Sequence, residues 1–301
     1  MDMKLGDIGE DRLLGRLLSG LSLAKEVVNG PGDDCAVMET RDHGDLLVLK
    51  TDCVVAGVHF LPTANALDVG WKAMMRPLSD FAATSAVPKF ALITLIAPEQ
   101  TNVEWVQRLY RGLGRAAKRF KVSIVGGETS QTRGPVAISV SVVGFVEKDR
   151  WASRCGAKVG DDLFVTGRLG GAVRKKHLEF TPRIAESRWL TKNFSIHAMM
   201  DLSDGLGADL PRLAKASRVG FAIEMDDLPL ARGAKIDDAI SEGEDYELLF
   251  AISSRERDRL LRRWKKKFPK LLLTRIGSFS QLSAGNSQFL PSGYVHFQQP
   301  A

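Results

Sequence analysis

Three cysteines in 301 residues (Cys35, Cys53 and Cys155) stand far apart and form no CxxC pair. A disulfide framework or zinc ribbon is therefore not expected, and a reducing compartment is. The five histidines show no HExxH spacing, which removes the commonest zinc-hydrolase arrangement. No apolar run approaches the roughly 20 residues needed to cross a bilayer. Residues 1–10 include Asp2, Lys4, Asp7 and Glu10 and have no apolar core, so no signal peptide is expected there and a cytoplasmic location is. The chain also lacks a GxxxxGK[ST] loop, a GxGxxG fingerprint, the HRD and DFG pair and a GxSxG elbow. Those absences set aside P-loop enzymes, dinucleotide-binding folds, protein kinases and serine hydrolases. Short-period repeats and low-complexity tracts are absent too.

What is there is ordinary globular material, 44% hydrophobic and 26% charged, long enough for two moderate domains. The net charge of +6 gathers in residues 255–270. Leu260, Leu261, Trp264 and Phe268 recur there at helical spacing, so the stretch reads as an amphipathic helix with a solvated basic face, and no nucleic-acid partner is expected. Helical and strand patterns alternate, which predicts an α/β (α+β) class. Strands are expected at 46–50, 54–60, 90–97, 122–125, 136–146, 163–166, 246–252 and 271–276. Helices are expected after Asp68 as cap, with Val69, Lys72, Met75, Leu78 and Phe81 in their period, and after a Thr101–Glu104 capping box. Residues 8–21 and 206–214 also carry helical periods. A polar, Gly-containing stretch at 147–160 predicts two domains, 1–148 and 149–301.

Five polar islands sit at or near the ends of apolar segments: Gly32-Asp33-Asp34, Thr51-Asp52, Ser79-Asp80, Gly126-Gly127-Glu128-Thr129 and Asp201-Leu202-Ser203-Asp204-Gly205. Each alone is a common turn or helix cap. Together, Asp34, Asp52, Asp80, Glu128, Asp201 and Asp204 would make a large negative charge if they converge, and clustered carboxylates repel unless cations neutralise them. Hard oxygen donors of this kind suit Mg²⁺ bridging protein to substrate phosphates. The residues thus predict a magnesium-dependent phosphotransferase that holds metal-bound ATP without a P-loop.

The ordered set GPGDDCAV, KTDCVVAGVHF, LSDFAATSAVPK, VGGETS, MMDLSDGLGADLPRL and GEDYELLF resembles the thiamine-monophosphate kinase family, with a weaker echo at residues 293–297. That family belongs to the ATP-binding superfamily of aminoimidazole ribonucleotide synthetase. The resemblance implies ATP-dependent phosphorylation of thiamine monophosphate to thiamine diphosphate, with several Mg²⁺ ions. Because the acceptor is an anionic phosphate oxygen, it needs positioning and charge neutralisation more than a general base. By resemblance, Asp34, Thr51, Asp52, Asp80, Glu128, Asp201 and Asp204 organise metals, and Gly127, Glu128, Arg154 and Ser203 contact ATP. His59, Glu244 and Tyr294 line the thiamine phosphate site. The implied fold has an N-terminal ATP- and metal-binding sheet that forms a barrel across a homodimer, plus a C-terminal α/β domain with a mixed sheet.

Two positions depart from that pattern. Glu128 stands where the family has Asp, and Lys50 precedes the Thr-Asp step where Ser or Thr is typical. The stretch between Gly167 and His177 is also short. Rival readings are another ATP-dependent enzyme of the superfamily, a nucleotide-binding protein without turnover, or a nucleic-acid binder using the basic helix. The last predicts steeply salt-dependent binding.

Overall fold

The computed structural model describes residues 4–40, 44–174, 176–282, 290 and 293–294. The chain runs through α1 (Leu5–Leu18), β1 (Val27–Asn29), β2 (Ala36–Met38), β3 (Asp45–Val55), α2 (Ala66–Ala83), β4 (Val87–Ala97), α3 (Val103–Phe120), β5 (Ser123–Gln131) and β6 (Ala137–Glu147). These strands form one six-stranded sheet in the order β1-β2-β3-β6-β4-β5. Only β4 and β5 pair in parallel, joined through α3 as a crossover.

One face of this sheet is packed. Leu46, Val48 and Val54 of β3, Ile93 and Leu95 of β4, and Ile138, Val140 and Val142 of β6 bury against α2 and α3. The strict in-out alternation of β6 is the pattern of a strand with one covered face. The two helices lie backbone to backbone. A Cβ on Gly70 would stand 2.1 Å from the Leu109 carbonyl oxygen, and one on Gly112 would stand 2.1 Å from that of Leu67. Only glycine allows that approach.

The second unit contains β7 (Asp161–Thr166), α4 (Lys176–Glu179), α5 (Ile184–Asn193), β8 (Ile196–Asp201), α6 (Leu206–Ser217), β9 (Gly220–Ile223), α7 (Ile236–Ser241), β10 (Leu248–Ser253), α8 (Arg257–Lys267) and β11 (Leu273–Ser280). Its antiparallel sheet runs β8-β10-β7-β11-β9. Both faces are covered, so the central β7 is buried at every residue. Leu163 and Val165 join Leu206, Leu210 and Leu213 of α6 in one core, while Phe164 joins Leu190 of α5 and Leu260 and Trp264 of α8 in the other. The basic helix thus buries its apolar stripe.

Helix α2 ties the two units together. It is buried on nearly every side, and its Ala82 belongs to a core of the second unit. A helix apolar and enclosed all round can carry charge only where that charge is paired. Among the described residues, no helix is long and apolar enough to cross a membrane.

Several local expectations shift. Asn65, not Asp68, caps α2, accepting from the Leu67 N–H at 3.1 Å. Asn102, not Thr101, caps α3, accepting from the Glu104 N–H at 2.7 Å. Each helix starts at the Asn that satisfies its first free N–H groups. Strand β3 does not pause at Thr51-Asp52, because β6 pairs with it residue by residue from Asp45 to Val55. Residues 126–131, expected as a polar connection, continue β5 because β4 supplies the ladder alongside.

Candidate active site

Asp34 lies in the turn before β2, Asp80 on α2 and Asp201 at the end of β8. A carboxylate oxygen from each lies within 4.8 Å of the others, and all three residues are buried. The sites are far apart in sequence, and α2 at the junction of the two units brings them together. Burial pushes the Asp80 carboxyl well above its ordinary range against the opposing pull of Lys50, and Asp52, Asp201 and Asp34 add to the rise. Burial, then the neighbouring Asp34, pushes Asp201 up to about 7.

Three cations answer these carboxylates. Arg154 donates from Nε and Nη2 to Asp34 Oδ1 at 3.1 and 2.6 Å, and its backbone N–H donates to Asp33 Oδ2 at 3.0 Å. Lys50 Nζ donates to Asp80 Oδ1 at 2.7 Å and lies 3.9 Å from Asp52 Oδ2. Arg76 Nη2 lies 3.8 Å from Asp52 Oδ1. Even so, Asp34 Oδ2 and Asp52 Oδ2 are buried and accept no hydrogen bond among the described residues. Unmet carboxylate oxygens beside carboxyls that resist ionisation are the donor set a hard divalent cation takes up.

Beside the cluster opens a cavity of about 470 Å³, lined by His59, Arg76, His177, Ser203, Asp204, Glu244 and Tyr294 among others. Lys72, Arg76 and Asp80 follow at intervals of four on α2, so one stripe of that helix runs from beneath the cavity to the aspartates. Lys72 is fully buried; its Nζ donates to the His59 carbonyl oxygen at 2.6 Å, lies 2.8 Å from His177 Nδ1 and pairs with the Glu244 carboxylate. Burial lowers the Lys72 ammonium to about 8, with Glu244 opposing. Glu244, although burial opposes ionisation, is held down to about 2 by His177, Lys72 and Arg76.

The loop that presents Glu244 is locked. Its N–H donates to the Ser203 carbonyl oxygen at 2.7 Å, and the Tyr246 N–H donates to that of Leu202 at 2.8 Å. Both residues have left-handed backbones, φ 71° and 51°, which is uncommon for residues that carry a side chain. On the facing loop, Asp209 Oδ2 accepts from the Ser203 and Asp204 N–H groups at 3.0 and 2.9 Å, and Arg212 pairs with both Asp204 and Asp209. The Tyr294 N–H donates to the Asp204 carbonyl oxygen at 2.8 Å, which seats Tyr294 at the cavity rim. Residues 295–297 of the weak C-terminal echo lie outside the described residues.

The structure therefore gathers Asp34, Asp52, Asp80, Asp201 and Arg154 in one cluster, and Ser203, Asp204, His59, Glu244 and Tyr294 around the adjoining cavity. Three expected residues stand apart. The Thr51 side chain lies on the opposite face of β3 from Asp52, where its hydroxyl accepts from Ser141 Oγ at 3.0 Å. Gly127 pairs with Ile93, Ile93 with Val140, and Val140 with Asp52. Three strand spacings, about 14 Å in all, separate Gly127 from Asp52, and Glu128 is exposed beside it on the edge strand. Sequence reading missed Arg76, His177, Asp209 and Arg212, and placed Lys72 on an apolar face. The signal available for α2 was two basic residues, Lys72 and Arg76, four apart and four before Asp80 in a largely apolar helix.

The chain matches the model of AIR synthase related protein, N-terminal domain, over residues 32–146, and that of AIR synthase related protein, C-terminal domain, over residues 154–267. It is 38% identical over 248 residues to a thiamine-monophosphate kinase of Rhodopirellula baltica, covering 77% of this chain and 78% of that one. With the thiamine-monophosphate kinase of Aquifex aeolicus it is 34% identical over 98% of this chain and 100% of that one. The chain belongs to the thiamine-monophosphate kinase family. Within this family, the solved structure of AaThiL complexed with AMPPCP and TMP superimposes with a TM-score of 0.83 at 33% identity, covering 98% of this chain and 99% of that one. Family membership makes the chain an enzyme of the kinase type.

Proposed function

We propose that this enzyme transfers the γ-phosphoryl group of ATP directly to thiamine monophosphate, giving thiamine diphosphate and ADP. The observation that carries the reading is the adjacency of the aspartate cluster and the cavity along one stripe of α2. A relative of the same fold complexed with AMPPCP and TMP supports the pairing of nucleotide and thiamine phosphate.

Asp34, Asp52, Asp80 and Asp201, with Asp204 at the cavity rim, are the residues we assign to Mg²⁺. Held by these carboxylates, Mg²⁺ would supply positive charge that offsets the charge of the phosphates. Arg154 and Ser203 are assigned to the nucleotide. Glu244 stays ionised at neutral pH and faces the cavity with His59 and Tyr294, a setting suited to the positively charged thiazolium ring of thiamine. Arg76 reaches both Asp52 and Glu244, at 3.8 and 4.0 Å, and so fixes the distance between the two halves of the site. No side chain needs to remove a proton from the acceptor, so catalysis is alignment plus charge neutralisation.

We assign residues 1–148 to nucleotide and metal binding and to dimerisation, and residues 149–301 to the second α/β domain. The reading of a homodimer with a barrel between subunits is supported by the uncovered face of the first sheet, where Phe90 and Leu92 are exposed. In that assembly Gly127 and Glu128, remote from Asp52 in their own chain, and Thr51 act at or near the subunit boundary.

Purified protein with Mg-ATP and thiamine monophosphate is expected to form thiamine diphosphate and ADP in equal amounts, and Asp52→Asn to fall to background. ADP without thiamine diphosphate would count against the acceptor, and bound ATP with neither product would favour a protein without turnover.

A further inference from the structure

Lys50 sits where a cation has work to do. It is on the inward face of β3 with Leu46, Val48 and Val54, and only 23% of its side chain is exposed. Inward strand positions ordinarily hold apolar side chains, and a lysine there is tolerated when its ammonium is paired. The partners are Asp80 Oδ1 at 2.7 Å and Asp52 Oδ2 at 3.9 Å. Arg76 approaches the other oxygen of Asp52 at 3.8 Å. The Asp52–Asp80 side of the cluster thus has two fixed positive charges, both carried by the chain.

The Asp34–Asp201 side is different. Arg154 alone reaches it, at Asp34 Oδ1; Asp34 Oδ2, like Asp52 Oδ2 on the other side, is buried without a hydrogen-bond partner among the described residues, and Asp34 itself is 2% exposed. Asp34, Asp80 and Asp201 can each turn one oxygen toward a common point. An Mg²⁺ ion needs oxygens at about 2.0–2.1 Å in a near-octahedral shell. An ion bound through Asp80 Oδ1 would sit within a few ångströms of the Lys50 ammonium, and like charges that close repel strongly in a partly buried site. Divalent metal and Lys50 therefore compete for the Asp80–Asp52 side, and the lysine, tethered by its own strand, is always present.

We infer that Lys50 is a resident cation of this site, standing in for one divalent ion between Asp80 and Asp52, so that the nucleotide-free protein takes a single divalent ion, in the nest of Asp34, Asp80 and Asp201. The inference rests on the assignment of these carboxylates to metal under the proposed function. It specifies how many ions the nucleotide-free chain takes and which residue sets that number.

The test is a count of Mn²⁺ bound per protomer, by equilibrium dialysis and electron paramagnetic resonance, in protein without nucleotide or thiamine phosphate. Wild type is expected to bind one ion with the spectrum of an isolated Mn²⁺. Lys50→Thr is expected to bind one more, with the broadening of a coupled pair, while Lys50→Arg keeps the wild-type count. Equal counts in wild type and Lys50→Thr would overturn the inference. If Lys50→Thr does not fold, the wild-type spectrum decides: a spin-coupled Mn²⁺ pair in wild type overturns the inference, and an isolated ion upholds it. No turnover is needed, so failure of the kinase reading would appear in the product assay and leave this count unaffected.

Discussion

The buried ammonium of Lys72 is paired with the carboxylate of Glu244, joining the middle of α2 to the loop between α7 and β10. The same nitrogen holds the His59 carbonyl oxygen at 2.6 Å, so one side chain fixes two walls of the cavity. Removing one partner of a buried pair leaves the other charge stranded, at a cost of roughly 3–5 kcal/mol. Lys72→Met is expected to lose stability in that range by urea unfolding, and to raise KM for thiamine monophosphate more than it lowers kcat.

A pH signature accompanies that pair. Lys72 gives up its proton near pH 8, below the ordinary lysine value, while Glu244 stays ionised down to about 2. Above about pH 8 the ammonium that clamps Glu244 and the His59 carbonyl in place is lost, the two cavity walls are no longer held together, and KM for thiamine monophosphate is expected to climb. Steady-state kinetics from pH 6 to 10 should show the climb in wild type and not in Lys72→Met. A flat wild-type profile would remove Lys72 from the binding wall.

A second pH effect concerns the joint between the two units. Arg188 on α5 donates to both oxygens of Glu147, each at 2.6 Å, and to the Ser85 carbonyl oxygen at 2.8 Å. The hydrogen bond from Arg188 holds the Glu147 carboxyl down to about 2, against the opposing effect of burial. With the folded value below the ordinary 4.5, the native state binds fewer protons in that window. The stabilisation is fully present above pH 4.5 and lost as pH falls toward 2. Arg188→Ala should therefore differ most from wild type at neutral pH, by urea midpoint, and the gap should narrow from about pH 5 to about pH 2. A residual difference belongs to Ser85, whose bond does not titrate.

Much of this architecture is legible in the sequence, and the places where it is not have a common cause. Alternation marks β6 and helical spacing marks α8, because each has one covered face. Strand β5 is expected as far as residue 125, and its continuation is hidden behind Gly126, Gly127 and Glu128: its ladder comes from β4, a partner some thirty residues away, and every one of its residues is exposed. The aspartates are visible as motifs, but their convergence depends on α2 lying between the two sheets. Arg76 and His177 belong to no motif. They matter through what the fold sets beside them, Asp52 and Glu244 for one and Lys72 for the other.

The open face of the first sheet makes its own prediction. Phe90 and Leu92 are each 45% exposed on β4 while their neighbours Ala91 and Ile93 are buried. Placing a charge there, as in Phe90→Glu, leaves the inner core untouched. Wild type is expected to sediment as a dimer and Phe90→Glu as a folded monomer with lowered activity. A wild-type monomer of full activity would end the shared-barrel reading.

The most direct test of the account follows the phosphoryl group itself. In a single turnover with γ-labelled ATP, Mg²⁺ and thiamine monophosphate, label should pass into thiamine diphosphate with no labelled protein at any time, and Asp201→Asn should abolish the transfer. Label found on the protein, or released only as inorganic phosphate, would contradict direct transfer at the Asp34–Asp80–Asp201 site.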